Sequence, residues 1–253
     1  MSLELIDPAK SSRQFDGRCA LGIMTKVPEP GKVKTRLTPP LTSTEAAALN
    51  TCFLRDLSSS IVAATELASA RGVAVYTPVG REEAYEEILP AGFFLVPQRG
   101  AEFGERLKLA VKDLLAAGFS SVCLINSDSP TVPAANFAEA ANELAKPGDR
   151  IVLGPSDDGG YYLIGLKTLH REVFEEIDWS TEHVMAQTVS RAKTIGIPVH
   201  QLPTGFDVDD QITLRRLCDE LLDDGDKVIA APHTKRFLKQ IIEAEGRDRI
   251  WPG

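Results

Sequence analysis

The sequence predicts an α/β protein, a three-layer sandwich on a mostly parallel sheet. Short apolar runs alternate with segments of helical period, the pattern of helices packed on both faces of one sheet. The run Ser121-Val-Cys-Leu-Ile-Asn126 is apolar on both faces, as a central parallel strand is. A close pair of runs around Pro155-Ser-Asp-Asp-Gly-Gly160 adds a mixed or antiparallel portion.

The elements follow in order. Residues 1–17 are polar, lack the apolar core of a secretory signal, and read as a flexible lead-in to one domain over 18–253. Cys19-Ala-Leu-Gly-Ile-Met24 is a buried strand, and Pro28, Pro30 and Gly31 stop it from running on into a helix. Thr42-Ser-Thr-Glu45 has the capping-box pattern and opens a long helix that Gly72 is expected to end. Strands are expected at 73–77 and 93–97, with a short helix at 82–89 between them. Phe103, Leu107, Ala110, Val111 and Leu114 mark one face of a helix closed by Gly118. After the 121–126 strand, a helix at 134–146 ends at Pro147-Gly148. Strands at 151–154 and 161–166 flank the Asp-Asp-Gly-Gly turn. Helices at 170–177 and 181–195, a strand at 199–202, and two helices, around Leu214–Leu222 and Lys235–Ala244, complete the chain.

Composition bounds the function. The chain has 253 residues and a net charge of -8, which argues against a protein whose main partner is nucleic acid. Cys19, Cys52, Cys123 and Cys218 have no paired spacing, as in reduced cysteines of a cytoplasmic protein rather than a disulfide framework or zinc site. No stretch approaches the roughly 18 apolar residues a membrane span needs. The histidines His170, His183, His200 and His233 lack metal-ligand spacing. No Gly-x-Gly-x-x-Gly is present, and Gly31-Lys32 lacks the upstream glycine of a P-loop, so neither a Rossmann dehydrogenase nor a P-loop ATPase is supported.

Against that acidic background, Lys26, Lys32, Lys34 and Arg36 crowd one loop after the first strand. Ammonium and guanidinium groups there suit a polyphosphate, by charge-assisted hydrogen bonds to its oxygens; solvated surface charge is the plainer reading. Three acidic clusters lie at strand ends, where open α/β sheets bind ligands: Asp128, Asp157-Asp158, and Asp207, Asp209 and Asp210. Asp128 with Asp207 or Asp209 would offer the hard oxygen donors that Mg²⁺ prefers. Each also has a structural reading: Asp128 as a turn cap, Asp210 as a helix N-cap, and 157–160 as a plain hairpin turn.

Six motifs occur in order: Lys26-Val-Pro-Glu-Pro-Gly-Lys-Val-Lys-Thr-Arg-Leu37, Phe103-Gly-Glu-Arg106, Ser127-Asp-Ser-Pro-Thr131, Leu153-Gly-Pro-Ser-Asp-Asp-Gly-Gly-Tyr-Tyr-Leu-Ile-Gly-Leu166, Ile177-Asp-Trp-Ser-Thr181 and Phe206-Asp-Val-Asp209. Together they resemble a bacterial GT-A-type glycosyltransferase-like family, found beside radical-SAM genes and linked by name to arsenosugar biosynthesis. A more distant similarity runs to 2-phospho-lactate guanylyltransferase and molybdenum-cofactor guanylyltransferase. The resemblance implies a GT-A, nucleotide-diphospho-sugar transferase fold with a metal-binding Asp at the place of Asp128. Asn126 stands where the first aspartate of the GT-A metal motif usually lies, and Pro28 and Pro30 stand in the loop that nucleotidyltransferases make glycine-rich.

The resulting expectation is a metal-dependent transferase with a nucleotide-diphosphate sugar donor and a small-molecule acceptor. Lys26, Gly31, Lys32, Lys34, Arg36 and Arg106 are the candidate phosphate-binding residues. Asp128, Asp209 and Asp207 are the candidate ligands for Mg²⁺ or Mn²⁺. Asp158, then Asp157, is the candidate base, and Gly159, Gly160, Tyr161 and Trp179 the candidate acceptor surface. The alternatives are a nucleotidyltransferase that joins a nucleoside triphosphate to a small phosphorylated acid and releases pyrophosphate, and a non-catalytic nucleotide-binding protein.

Overall fold

The computed structural model describes residues 3–222 and 231–250. Eight strands form one sheet in the order β1-β4-β3-β2-β5-β7-β6-β8: β1 Glu4–Leu5, β2 Cys19–Lys26, β3 Ala70–Thr77, β4 Phe94–Pro97, β5 Ser121–Ile125, β6 Ile151–Pro155, β7 Tyr161–Leu166 and β8 Val199–Gln201. Every neighbouring pair is parallel except β5–β7 and β6–β7, so β7 alone runs against the rest. This is the GT-A, nucleotide-diphospho-sugar transferase fold. The reversal comes from the short β6–β7 connection, since a hairpin joins antiparallel strands whereas a parallel crossover needs a dozen residues or more.

Six helices cover the sheet: α1 Ser43–Thr65, α2 Phe103–Ala116, α3 Ala134–Ala145, α4 Val184–Thr194, α5 Gln211–Leu222 and α6 Pro232–Glu245. On one face, Leu54, Leu57 and Ile61 of α1 and Phe137 and Leu144 of α3 pack with Leu21, Ile23 and Cys123 of β2 and β5. On the other, Leu107, Val111 and Leu114 of α2 join Val73, Val75, Val122 and Ile164. A third apolar cluster lies beside α1, where Leu49 and Phe53 meet Leu214 of α5, Leu238 of α6, Phe206, Val208 and Leu37. This cluster governs the functional end of the molecule. It anchors the cationic loop through Leu37 and the late acidic segment through Phe206 and Val208, and so brings residues more than 160 positions apart side by side.

Local signals explain most boundaries. Thr42 Oγ1 accepts from Glu45 N at 3.2 Å, and Glu45 Oε2 accepts from Thr42 N at 2.7 Å, so the capping box of α1 is complete. Asp210 caps α5, its Oδ1 accepting from Thr213 N at 2.9 Å. The start of α6, expected near Lys235, lies three residues earlier because Asp56 of α1 reaches across to it. The buried Asp56 accepts from the backbone N–H groups of His233 and Thr234, both at 2.9 Å. No local pattern announces that cap.

Three expectations are corrected. The long helix ends at Thr65, and Gly72 lies inside β3 rather than closing the helix. A side chain at Gly72 would come within 2.4 Å of the Phe93 ring, so glycine is needed there for close packing. The expected helices at 82–89 and 170–177 shrink to the single 3₁₀ turns Glu82–Tyr85 and Arg171–Phe174. The expected lead-in packs onto the sheet where it is described, from residue 3 onward. Glu4 and Leu5 extend the sheet in parallel with Phe94 and Leu95, and Ile6 is buried. Phe15, 2% exposed, stacks on Phe119 at 4.1 Å and meets Phe94 edge-on at 5.1 Å. The polar composition of residues 1–17 hid these two apolar anchors.

Phe15→Ala is therefore expected to destabilise the protein by about 3–5 kcal/mol, the usual cost of removing a buried phenylalanine. Urea unfolding monitored by circular dichroism reads this directly, and an unchanged midpoint would mean that the Phe15 contacts add nothing to stability.

Candidate active site

The carboxyl ends of β2 and β5, the β6–β7 hairpin and the segment before α5 surround one cleft with a volume of about 660 Å³. It lies where a GT-A sheet is expected to take its ligand, beyond the strand ends. Lys26, Lys34, Arg36, Asp128, Asp158, Gly160, Tyr161, Trp179, Asp207 and Asp209 all line it. Gly31, Lys32, Arg106, Asp157 and Gly159 do not.

The acidic floor is built by alternation. Phe206 and Val208 point into the third apolar cluster, which turns Asp207 and Asp209 the other way, toward the cleft. Val208 N donates to Asp128 O at 2.9 Å, tying this segment to the turn after β5. Asn126 helps to shape that turn, its Oδ1 accepting from Asp128 N at 3.3 Å. The Ser156 hydroxyl donates to Asp207. Burial pushes the Asp207 pKa up to about 6. The Ser156 hydrogen bond works against the rise, and the carboxylates of Asp158, Asp209 and Asp128 add to it.

The four cations of the first loop separate into two kinds. Lys34 adopts a left-handed conformation (φ 48°), which turns its side chain inward. Its ammonium, only 5% exposed, lies 2.5 Å from Asp128 Oδ1 and 3.0 Å from Asp209 Oδ1, and donates to Val208 O at 2.7 Å. The ring of Phe53 faces it at 5.5 Å. Burial opposes its charge, but Asp128 and Asp209 outweigh burial and hold its pKa above the ordinary lysine value. Lys32 is directed outward, 3.7 Å from Glu29, which also pairs with Arg81. That leaves Lys26 and Arg36 as exposed cations at the cleft, neither of them in an ion pair among the described residues.

The remaining candidates also sort by contact. Arg106 donates to the carbonyls of Gly100 (3.3 Å) and Ala101 (2.7 Å), which fixes the loop before α2 rather than pointing a charge at the cleft. Asp157 pairs with Arg216, whereas Asp158 stays exposed in the cleft, its Oδ1 accepting from Gly160 N at 2.8 Å. Gly159 has φ 90°, and a side chain on it would lie 2.2 Å from Glu182 O. Its role is to let the hairpin tip close against the 181–182 segment. Tyr161 presents its ring edge to the cleft and buries its hydroxyl. Trp179 packs edge-on against the half-exposed Phe103 at 5.2 Å, over Gly104, where any side chain would strike the indole.

Phe103 and Asn50 are among the lining residues that sequence reasoning did not place in the site. Phe103 was read as part of a helix face and of the Phe103–Arg106 motif but not as a site residue, yet it stands at the first position of α2 and lines the cleft. Asn50 lies on the buried face of α1, between Ala46 and Phe53. A carboxamide inside an apolar stripe was the signal that could have found it.

Asp128, Asp207 and Asp209 have the oxygen chemistry of a Mg²⁺ or Mn²⁺ site. As arranged, however, they do not fit a resident ion, because the Lys34 ammonium already fills the point between Asp128 and Asp209. Among the described residues, no group of three or more His, Cys, Asp or Glu side chains is placed to hold a metal. No helix among them is long and apolar enough to cross a membrane.

A family model described as an uncharacterized protein conserved in bacteria (DUF2064) matches residues 61–181. Among solved structures, the chain is similar to a Desulfovibrio desulfuricans protein provisionally named a nucleotide-diphospho-sugar transferase. The two share 29% identity over 92% of this chain and 98% of that one, with a TM-score of 0.80. The fold is also shared with CMP:2-keto-3-deoxy-manno-octonic acid synthetase in complex with CTP (9% identity, 81% and 99% coverage, TM-score 0.51). A third similar structure is the 4-diphosphocytidyl-2C-methyl-D-erythritol synthase of Anaerococcus prevotii (12% identity, 85% and 100% coverage, TM-score 0.51). At these low identities the last two establish the fold alone. No curated protein matches the chain.

The crowding of Asp207 has a measurable consequence. Above pH of about 6 its carboxylate is ionised at a cost in the folded state, while in the unfolded chain ionisation is free above about pH 4. As pH falls, the folded protein takes up this proton first and the penalty disappears. Asp207→Asn should therefore raise stability by about 1–2 kcal/mol at pH 7.5, and the gain should fade by pH 4.5. Denaturant titrations at the two pH values check both the sign and the fading.

Proposed function

We propose that this protein is a transferase that takes its donor group from a nucleotide-diphosphate sugar. The observation that carries the reading is the convergence, in one cleft, of two exposed cations, Lys26 and Arg36, that form no ion pair among the described residues, with an exposed carboxylate, Asp158. The similarity over nearly the whole chain to a protein provisionally named a nucleotide-diphospho-sugar transferase supports it.

In this reading Lys26 and Arg36 grip the diphosphate and neutralise the charge that grows on it as the bond to the sugar breaks. Cations fixed before the reaction are effective there because they need not reorganise. The acceptor hydroxyl oxygen forms the new bond at the anomeric carbon, the nucleoside diphosphate leaves with the electrons of the old one, and Asp158 takes the hydroxyl proton. Asp157 is poorly suited to that task, since Arg216 already holds it. The Phe103–Trp179 pair and Tyr161 give the cleft an aromatic wall, suited to contact with a sugar or a nucleobase.

Four free cations in one loop would be many for a diphosphate and would favour the alternative, nucleotidyl transfer. With Lys34 buried against two carboxylates and Lys32 turned outward, two remain at the cleft, a number better matched to a diphosphate than to a triphosphate.

Thermal shifts with nucleotide sugars and nucleoside triphosphates, each with and without Mn²⁺, test the reading. Saturation at 100 times the dissociation constant adds about 2.7 kcal/mol of stability. A nucleotide sugar should give the larger shift, and nucleoside diphosphate should be released once an acceptor is present. A triphosphate-selective shift with pyrophosphate release would replace this reading with nucleotidyl transfer; shifts without any turnover would favour a binding protein. Arg36→Ala should weaken nucleotide-sugar binding about tenfold to a hundredfold, the loss of one charge-assisted contact. Asp158→Asn should lower kcat about 10²–10⁴-fold with donor affinity kept, as removal of a general base does. Steady-state kinetics and calorimetry separate these two effects.

A further inference from the structure

An ammonium group has three N–H donors and no acceptor. Those of Lys34 are matched by three oxygens: Asp128 Oδ1 at 2.5 Å, Asp209 Oδ1 at 3.0 Å and Val208 O at 2.7 Å. Its remaining side is closed by the ring of Phe53, which is fully buried. No donor is left over for a phosphate. The side chain is enclosed, and its backbone is held in a left-handed conformation that an ordinary residue adopts only when its surroundings enforce it. Leu37, three residues on, is buried in the same cluster as Phe206 and Val208, so loop and acidic segment are fixed to each other by packing as well as by charge.

From this geometry we infer that Lys34 is the resident cation of the cleft: its ammonium occupies the position between Asp128 and Asp209 that a divalent ion would otherwise bridge. The inference concerns the cleft that the proposed function assigns to the donor, and it moves Lys34 from the phosphate-binding set to the framework beneath it. The ammonium carries one charge where Mg²⁺ carries two, but it is tethered and needs no loading. It joins the turn after β5 to the segment before α5 with the bridging geometry of a metal. The consequence is that the protein without nucleotide has no site for a divalent ion between these two aspartates.

The test is Mn²⁺ alone, added to the nucleotide-free protein and followed by loss of the free-ion signal in electron paramagnetic resonance. The wild type should show no stoichiometric site. Lys34→Ala, which removes the ammonium and leaves its space, should bind one Mn²⁺ at least about tenfold more tightly than the wild type, since the two carboxylates then face each other without a counter-charge. Asp128→Asn in the Lys34→Ala background should lose that gain. Lys34→Met, which removes the charge but fills the space, should bind less tightly than Lys34→Ala; circular dichroism establishes that each variant is folded. One equivalent of Mn²⁺ bound by the wild type as tightly as by Lys34→Ala would overturn the inference, and the wild-type titration alone can deliver that result whether or not the variants fold. A folded Lys34→Ala with no gain would overturn it equally. Because no nucleotide is present, the outcome is independent of what the protein transfers: a working transferase can fail this test, and a protein that transfers no sugar can pass it.

Discussion

One ion triad, built on a buried ammonium, organises the functional end of this molecule. The Lys34 ammonium sits between Asp128 and Asp209, three groups from segments that are distant in sequence and lie on different parts of the sheet. The enclosed Lys34 ammonium would be costly to leave unpaired, so it depends on the two carboxylates, which keep part of their own surface in solvent. The triad also has a directional effect. With one cation committed to the floor, the exposed charges that face a ligand are those of Lys26 and Arg36, and the loop that carries them is held at both its ends. Lys26 ends β2 in the centre of the sheet, and Arg36 lies beside the buried Leu37.

Around that triad the cleft is left short of positive charge. Asp158 and Asp207 add two carboxylates beyond those Lys34 touches, and Asp207 has its pKa pushed up to about 6 by burial and by its acidic neighbours. Such crowding is a cost in the folded protein, and it is tolerated where a ligand completes the site. A basic loop at the rim and acidic groups at the floor give the cleft two electrostatically distinct parts. The first suits an anionic ligand. In the second, Asp158 is exposed and Asp157 is held by Arg216.

The glycines of the site act mainly through close approach. Gly104 makes room for Trp179, and Gly159 makes room for the backbone of Glu182. Both contacts bring the 179–182 segment onto the cleft, from two sides of it. The aromatic wall of Phe103 and Trp179 is thus a product of packing between α2 and a loop that has no regular structure of its own.

The sequence by itself determined the α/β class, the central strand Ser121–Ile125, the capping of α1, the reversed pair around the Asp-Asp-Gly-Gly turn, and the list of charged residues from which the cleft is made. These follow from local rules: hydrophobic period, capping chemistry and turn residues act over a few positions and can be read there. Only the tertiary structure decided which charges are free. Lys32, Lys34 and Arg36 are alike in sequence, yet one faces solvent, one is buried between two aspartates and one lines the cleft, because Leu37, Phe206 and Val208 share a core that no local pattern reveals. The same holds for Asp56 on the amino end of α6, for Asp157 against Asp158, and for Phe15, whose partners Phe94 and Phe119 are far along the chain. A side chain's chemistry is written in its residue type. Its partner is set by which apolar surfaces the folded chain brings together, and that is a property of the whole chain.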